Sequence, residues 1–124
     1  QKIISRFKAE GIRTSIFVDP KIEMIEGALE TGTDRVELYT EAYAAGYKSD
    51  REGAISPYVT AAEKAVALGI GINAGHDLSL DNLAYFAQNI PELLEVSIGH
   101  ALVCERLYLG FENVIPMYLQ RLSF

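Results

Sequence analysis

Little in this chain is basic, sulfur-bearing or apolar over a long stretch, and each shortage removes a class of protein. Its 124 residues hold 11 Lys and Arg against 17 Asp and Glu, a formal charge of −6 at pH 7. General nucleic-acid binding needs a basic footprint, which this balance does not supply. A small anionic substrate is not excluded, because phosphate sites rest on local backbone N–H groups more than on net charge. The one cysteine, Cys104, excludes an intrachain disulfide, and no Cys/His spacing resembles a zinc site. A lone Cys without a basic neighbour reads as a small buried residue. No apolar run nears the ~20 residues of a membrane helix, and no signal-peptide pattern opens the chain. A cytoplasmic, soluble protein without nucleic-acid or membrane partners is the expectation. Histidine is scarce too, with only His76 and His100.

What remains is enough for one modest domain with a real core, since 49% of the residues are hydrophobic. The pattern alternates between short apolar runs and amphipathic stretches. Strands are predicted at Thr14–Asp19, Arg35–Thr40, Gly71–Asn73 and Glu95–Ile98. Helices are predicted at Gln1–Glu10, Lys21–Glu30 (ended by Gly32), Pro57–Leu68 (ended by Gly69), from an Asp81 N-cap to about Gln88, and from Ala101 to about Leu122 with a break near Gly110 and Pro116. Residues 41–56, with their glycines and tyrosines, read as a long connection. Strands alternating with helices imply βαβ units and a parallel sheet. The nearly continuous apolar runs imply strands covered on both faces.

Four such units are half of a (β/α)8 barrel, which takes about 250 residues. The chain also opens at Gln1, inside a helix-like stretch. The expectation is therefore that residues 1–124 are the C-terminal half of one (β/α)8 TIM-barrel domain, supplying the last four βα units, with the N-terminal half absent.

Both histidines follow a glycine at the end of a predicted strand, in Asn73-Ala74-Gly75-His76-Asp77 and Ser97-Ile98-Gly99-His100. Catalytic groups of such barrels lie at the C-terminal strand ends, and the last two βα loops often hold a phosphate. An imidazole can give or take a proton near neutral pH, so His76 is a candidate acid–base group; alternatively it ties down a turn. Gly75 and Gly99 permit close approach of a ligand or a positive φ. Gly99-His100-Ala101 opens a helix whose free N–H groups and dipole suit an anion. Asp77 can offer its backbone N–H to a phosphate while its side chain caps the next turn. Glu37 alternates with Val36 and Leu38, so it is either an inward carboxylate or a solvent-facing one; a strand covered on both faces favours the first. Asp19 lines the site or caps the helix at Lys21, with the cap preferred. Tyr39, Tyr43 and Tyr47 are pocket walls or ordinary packing.

Ser15-Ile16-Phe17-Val18-Asp19-Pro20, Arg35-Val36-Glu37-Leu38-Tyr39-Thr40, Gly71-Ile72-Asn73-Ala74-Gly75-His76-Asp77-Leu78 and Glu95-Val96-Ser97-Ile98-Gly99-His100-Ala101 resemble the C-terminal half of the pyridoxine 5′-phosphate synthase family, in order and spacing. The resemblance implies a (β/α)8 transferase of vitamin B6 biosynthesis that condenses 1-deoxy-D-xylulose 5-phosphate with 3-amino-2-oxopropyl phosphate to pyridoxine 5′-phosphate, phosphate and water. It implies no metal and no organic cofactor. His76 matches the proton donor and Glu37 a carboxylate that stabilises the transition state. Asp77, Gly99 and His100 match positions that bind the amino-oxopropyl phosphate. A homo-oligomer, dimers assembling to an octamer, is implied as well. The family's remaining catalytic groups lie on the first four strands, so this chain alone is expected to be inactive. Two other readings stay open: another phosphate-binding TIM-barrel enzyme, and a non-catalytic half-barrel that binds phosphate. Schiff-base aldol chemistry is disfavoured, because Lys2, Lys8, Lys21, Lys48 and Lys64 all fall in predicted helices or loops.

Overall fold

The computed structural model describes residues 1–123. The order is α1 (Lys2–Ala9), β1 (Ser15–Val18), α2 (Ile22–Thr31), β2 (Arg35–Tyr39), α3 (Glu41–Ala67), β3 (Gly71–Gly75), α4 (Leu83–Asn89), β4 (Leu93–Ser97), α5 (His100–Leu109) and α6 (Phe111–Arg121). The strands form one parallel sheet in the order β1-β2-β3-β4. Each crossover carries a helix, as parallel neighbours require.

Alternation decides which side chains meet the helices. Val36, Leu38, Ile72 and Ala74 are fully buried with Ile25, Ala61, Ala62 and Phe86. An aromatic cluster anchors this layer: Tyr43 lies 4.9 Å from Phe86 and 6.1 Å from Tyr58, centroid to centroid. Tilted and edge-on pairs of this kind add about 0.5–1.5 kcal/mol each beyond their buried area. Tyr47 packs on Tyr43 and Tyr85, so of the three tyrosines left open above, Tyr43 and Tyr47 belong to the packing.

The opposite face is not covered by helices, contrary to the expectation of strands buried on both sides. It carries Phe17, Arg35, Glu37, Tyr39, Asn73, Glu95 and Ser97, aligned by the register Phe17↔Glu37, Glu37↔Asn73 and Asn73↔Glu95. These are the positions opposite in phase to the buried ones.

Several predicted boundaries move. Residues 41–56 are helical rather than a connection, and the helix predicted from Pro57 is the second part of α3. The two parts meet at Asp50, which is extended (φ −155°, ψ 80°) and whose Oδ1 accepts the Gly53 N–H at 2.9 Å. Gly46 signals a breaker only in isolation. A Cβ there would lie 2.9 Å from the Ala54 Cβ, so glycine lets the two parts of α3 cross closely. Asp81 does not cap α4; Asn82 occupies the flanking position and its Oδ1 accepts the Ser79 N–H at 2.8 Å. The last helical stretch breaks at Gly110 (φ 76°, ψ 151°) but not at Pro116, which lies inside α6. Cys104 is exposed rather than buried, on the outward side of α5 with Val103 and Leu107. Among the described residues, no helix is long and apolar enough to cross a membrane.

Candidate functional site

The site lies where the C-terminal ends of β2, β3 and β4 meet the loops that follow them. Tyr39 pairs with Gly75, and Gly75 with Ser97, so these three ends are level. The Thr40 N–H donates to the Gly75 carbonyl at 2.9 Å and fastens β2 to β3 just beyond the sheet. His76 follows Gly75 directly, and Gly99-His100 lies two residues beyond Ser97. The two Gly-His turns therefore do stand on adjacent strand ends.

Glu37 sits one layer deeper, half-buried on the uncovered face. Its carboxylate leans over Gly75: a Cβ on that glycine would fall 2.3 Å from Glu37 Oε1 and 3.0 Å from the Ser97 Cβ. Gly75 has no positive φ, so close approach is what requires glycine here, and the approaching group is the Glu37 carboxylate. Gly99 differs. A Cβ there would meet nothing within 4 Å, and its φ is −111°. It flanks α5, whose second turn begins with the Val103 N–H on the Gly99 carbonyl at 3.1 Å. His100 is the first helical residue and is exposed. The leading N–H groups of a helix have no partner within it, which suits an anion.

His76 and Asp77 are consecutive left-handed residues, with φ of 94° and 56°. Such a conformation costs a non-glycine residue roughly 1–2 kcal/mol, so surrounding contacts must hold it. The buried Thr40 hydroxyl donates to the His76 carbonyl, and Asn82 Nδ2 donates to the Asp77 carbonyl at 3.1 Å. The His76 imidazole meets the Tyr39 ring edge-on at 4.6 Å, and its Nδ1 lies 3.2 Å from Asp77 Oδ2. With Nδ1 facing a carboxylate, Nε2 is the nitrogen left for a substrate. The Asp77 side chain thus turns back on His76 and does not cap the next turn; Asn82 closes that turn instead. Asp19 does not cap α2 either. Its carboxylate pairs with Lys21 at 3.5 Å, and it borders a shallow hollow with Phe17, Met24 and Tyr39. The Tyr39 hydroxyl donates to Glu41 at 2.6 Å, and that bond holds the phenol up at about 12.

Below this layer lies a charged one that the sequence reading missed. Arg35 Nη1 reaches Glu95 Oε2 at 2.8 Å and Asn73 Oδ1 at 3.1 Å, and Asn73 Nδ2 donates to Glu95 at 2.9 Å. Arg13 Nη2 lies 3.0 Å from the other Glu95 oxygen. Burial pushes Glu95 upward, but the Arg13 hydrogen bond, the Arg13 and Arg35 charges and Asn73 outweigh it and hold the carboxyl below its usual range. The only early signal was the period of two in Arg35-Val36-Glu37-Leu38-Tyr39, which puts three polar side chains on one face.

The family model described as "Pyridoxal phosphate biosynthesis protein PdxJ" matches residues 1–123. The chain belongs to this family. Among curated PdxJ-type relatives, it is 65% identical over 123 residues to a protein of Flavobacterium johnsoniae named pyridoxine 5′-phosphate synthase, covering 99% of this chain and 52% of that one. Proteins of the same name from Cytophaga hutchinsonii and Porphyromonas gingivalis are 60% and 56% identical over 122 residues, which are 98% of this chain and 51% of each of those. The chain spans about half the length of the curated relatives that it matches. Within this PdxJ-family chain, Glu37 and Tyr39 stand on the uncovered sheet face, and His76, Asp77 and Gly99-His100 follow the ends of β3 and β4 beside them.

Proposed function

We propose that the chain is the C-terminal half of a (β/α)8 barrel and forms part of a pyridoxine 5′-phosphate synthase. In this reading the uncovered sheet face is the barrel interior, and the rest of a relative-length protein closes over it. The full-length enzyme condenses 1-deoxy-D-xylulose 5-phosphate with 3-amino-2-oxopropyl phosphate and releases phosphate and water. It works in the cytoplasm as a homo-oligomer, and the 124 residues alone are inactive. No metal or organic cofactor is needed for the steps assigned below.

The observation that carries the reading is the placement of Glu37 on β2 and of His76 directly after the adjacent strand β3, at the end where Gly99-His100 opens α5. Imine formation and dehydration move protons at several points, and His76, presenting Nε2, donates one of them. The Glu37 carboxylate stabilises positive charge developing on the substrate nitrogen. The Asp77 N–H, the leading N–H groups of α5 and the His100 side chain hold the phosphate of the amino ketone, which fixes its reacting carbons against Glu37 and His76.

The test is formation of pyridoxine 5′-phosphate from the two phosphates by full-length protein. His76→Asn is expected to lower kcat by about 10²–10⁴, the usual contribution of a general acid. Glu37→Gln should also act on kcat more than on KM. Unchanged turnover in His76→Asn, or turnover by the isolated 124-residue chain at the full-length rate, would sink the proposal.

A further inference from the structure

We infer that Thr40 and Asn82 are positioning residues that lock the His76–Asp77 turn and so aim the His76 imidazole. The inference rests on the proposed role of His76 as proton donor. Two consecutive non-glycine residues with positive φ relax unless something fixes their peptides. Each of their carbonyls is held by a different buried side chain. Thr40 is wholly buried; its hydroxyl donates to the His76 carbonyl, while its own N–H holds the Gly75 carbonyl at 2.9 Å. Asn82, 5% exposed, donates from Nδ2 to the Asp77 carbonyl at 3.1 Å and accepts the Ser79 N–H at 2.8 Å.

Asn82 is itself pinned from the helix layer. The buried Tyr43 hydroxyl donates to the Asn82 carbonyl at 2.7 Å. Tyr58, also buried, donates to the Tyr39 carbonyl at 2.8 Å, next to Thr40. The turn is therefore clamped on both sides by groups anchored in α3. Neither Thr40 nor Asn82 points its polar atoms at the open face, so neither touches substrate. Releasing the His76 carbonyl lets the residue return to an ordinary φ, which carries the imidazole off the edge of Tyr39.

Steady-state kinetics of the full-length synthase with Thr40→Val, Thr40→Ser and Asn82→Asp, beside His76→Asn, test this. Thr40→Val removes the hydroxyl at nearly constant volume, and Thr40→Ser keeps it. In Thr40→Val, kcat is expected to fall about tenfold or more, with both KM values within about twofold, because a displaced acid slows chemistry more than binding. Thr40→Ser should recover most of that loss. Asn82→Asp keeps the acceptor for Ser79, loses the donor to Asp77 and should lower kcat in the same way; it decides the matter if Thr40→Val does not fold. Wild-type kcat in the two disruptive variants, an equal fall in Thr40→Val and Thr40→Ser, or a parallel rise in both KM values overturns the positioning role. Unchanged kcat in His76→Asn would overturn the underlying reading instead, so the two failures are told apart.

Discussion

Gly75 is the residue on which the placement of Glu37 depends. A methyl at this position would stand 2.3 Å from Glu37 Oε1, but the obstructing atom is the end of a flexible side chain. The carboxylate can swing away at little cost, and the Ser97 Cβ, 3.0 Å off, need give only slightly. Gly75→Ala is therefore expected to cost about 1 kcal/mol of stability, the low end of overpacking costs. Its kcat should nevertheless fall toward that of Glu37→Gln. A melting temperature and a synthase assay on the same preparation check this. Normal kcat in Gly75→Ala would mean that the carboxylate position is immaterial. At this scale the two glycine-histidine turns were legible in the sequence and their supports were not. A glycine-histidine turn after an apolar run is visible as text. Thr40 and Asn82 donate to the His76 and Asp77 carbonyls, and no spacing rule announces which carbonyl a side chain will meet.

The elements were legible where hydrophobic period and breakers agreed, and illegible where a breaker served a tertiary purpose. α2 ends at Gly32 in a left-handed cap (φ 77°), as its sequence promised. α3 was hidden because Gly46 sits where two helical parts touch, a reason that exists only after folding. The joint between α1 and the sheet was also invisible. Asp34, in the turn before β2, pairs with Lys8 at 2.9 Å and accepts the Thr14 N–H at 2.8 Å and its hydroxyl at 3.0 Å. The Lys8 hydrogen bond, then those from Thr14, hold its carboxyl down at about 2. A carboxylate with a depressed folded pKa stabilises the fold above its ordinary value near 4 and loses that contribution as pH falls toward 2. Asp34→Asn should accordingly be less stable than wild type at pH 7. The gap between them should close as the pH drops below about 4. Thermal or urea unfolding of both proteins across this range measures it, and a gap independent of pH would show that the ionised form contributes nothing.

For the whole molecule, the question is what the uncovered face and the two sheet edges do. β1 and β4 each have one neighbour in the sheet, so each leaves backbone donors and acceptors on its outer side. Phe17 and Leu94 lie exposed on the same molecule as Leu107, Leu119 and Tyr108, the last at 90% exposure. The order of parallel strands was readable from the alternation of strand and helix. The charged layer of Arg35, Asn73 and Glu95 was not, because it depends on a register that shifts between Ile72 and Asn73, where β4 inserts Leu94. That inserted Leu94 separates two states of the molecule. Its Cδ1 lies against Gly71, on the uncovered face. In the isolated chain, open edges and exposed apolar side chains favour self-association. Sedimentation velocity over a hundredfold range of concentration, about 1–100 μM where such contacts form, should then show a mass rising above 13.7 kDa. Leu94→Lys should reduce that association, since a charge on an edge strand blocks pairing. If the face is a barrel interior, the same substitution in full-length protein buries an unpaired charge and should destabilise it by several kcal/mol. A charge tolerated in both contexts, together with a constant mass for the isolated chain, would mean that this face is never covered.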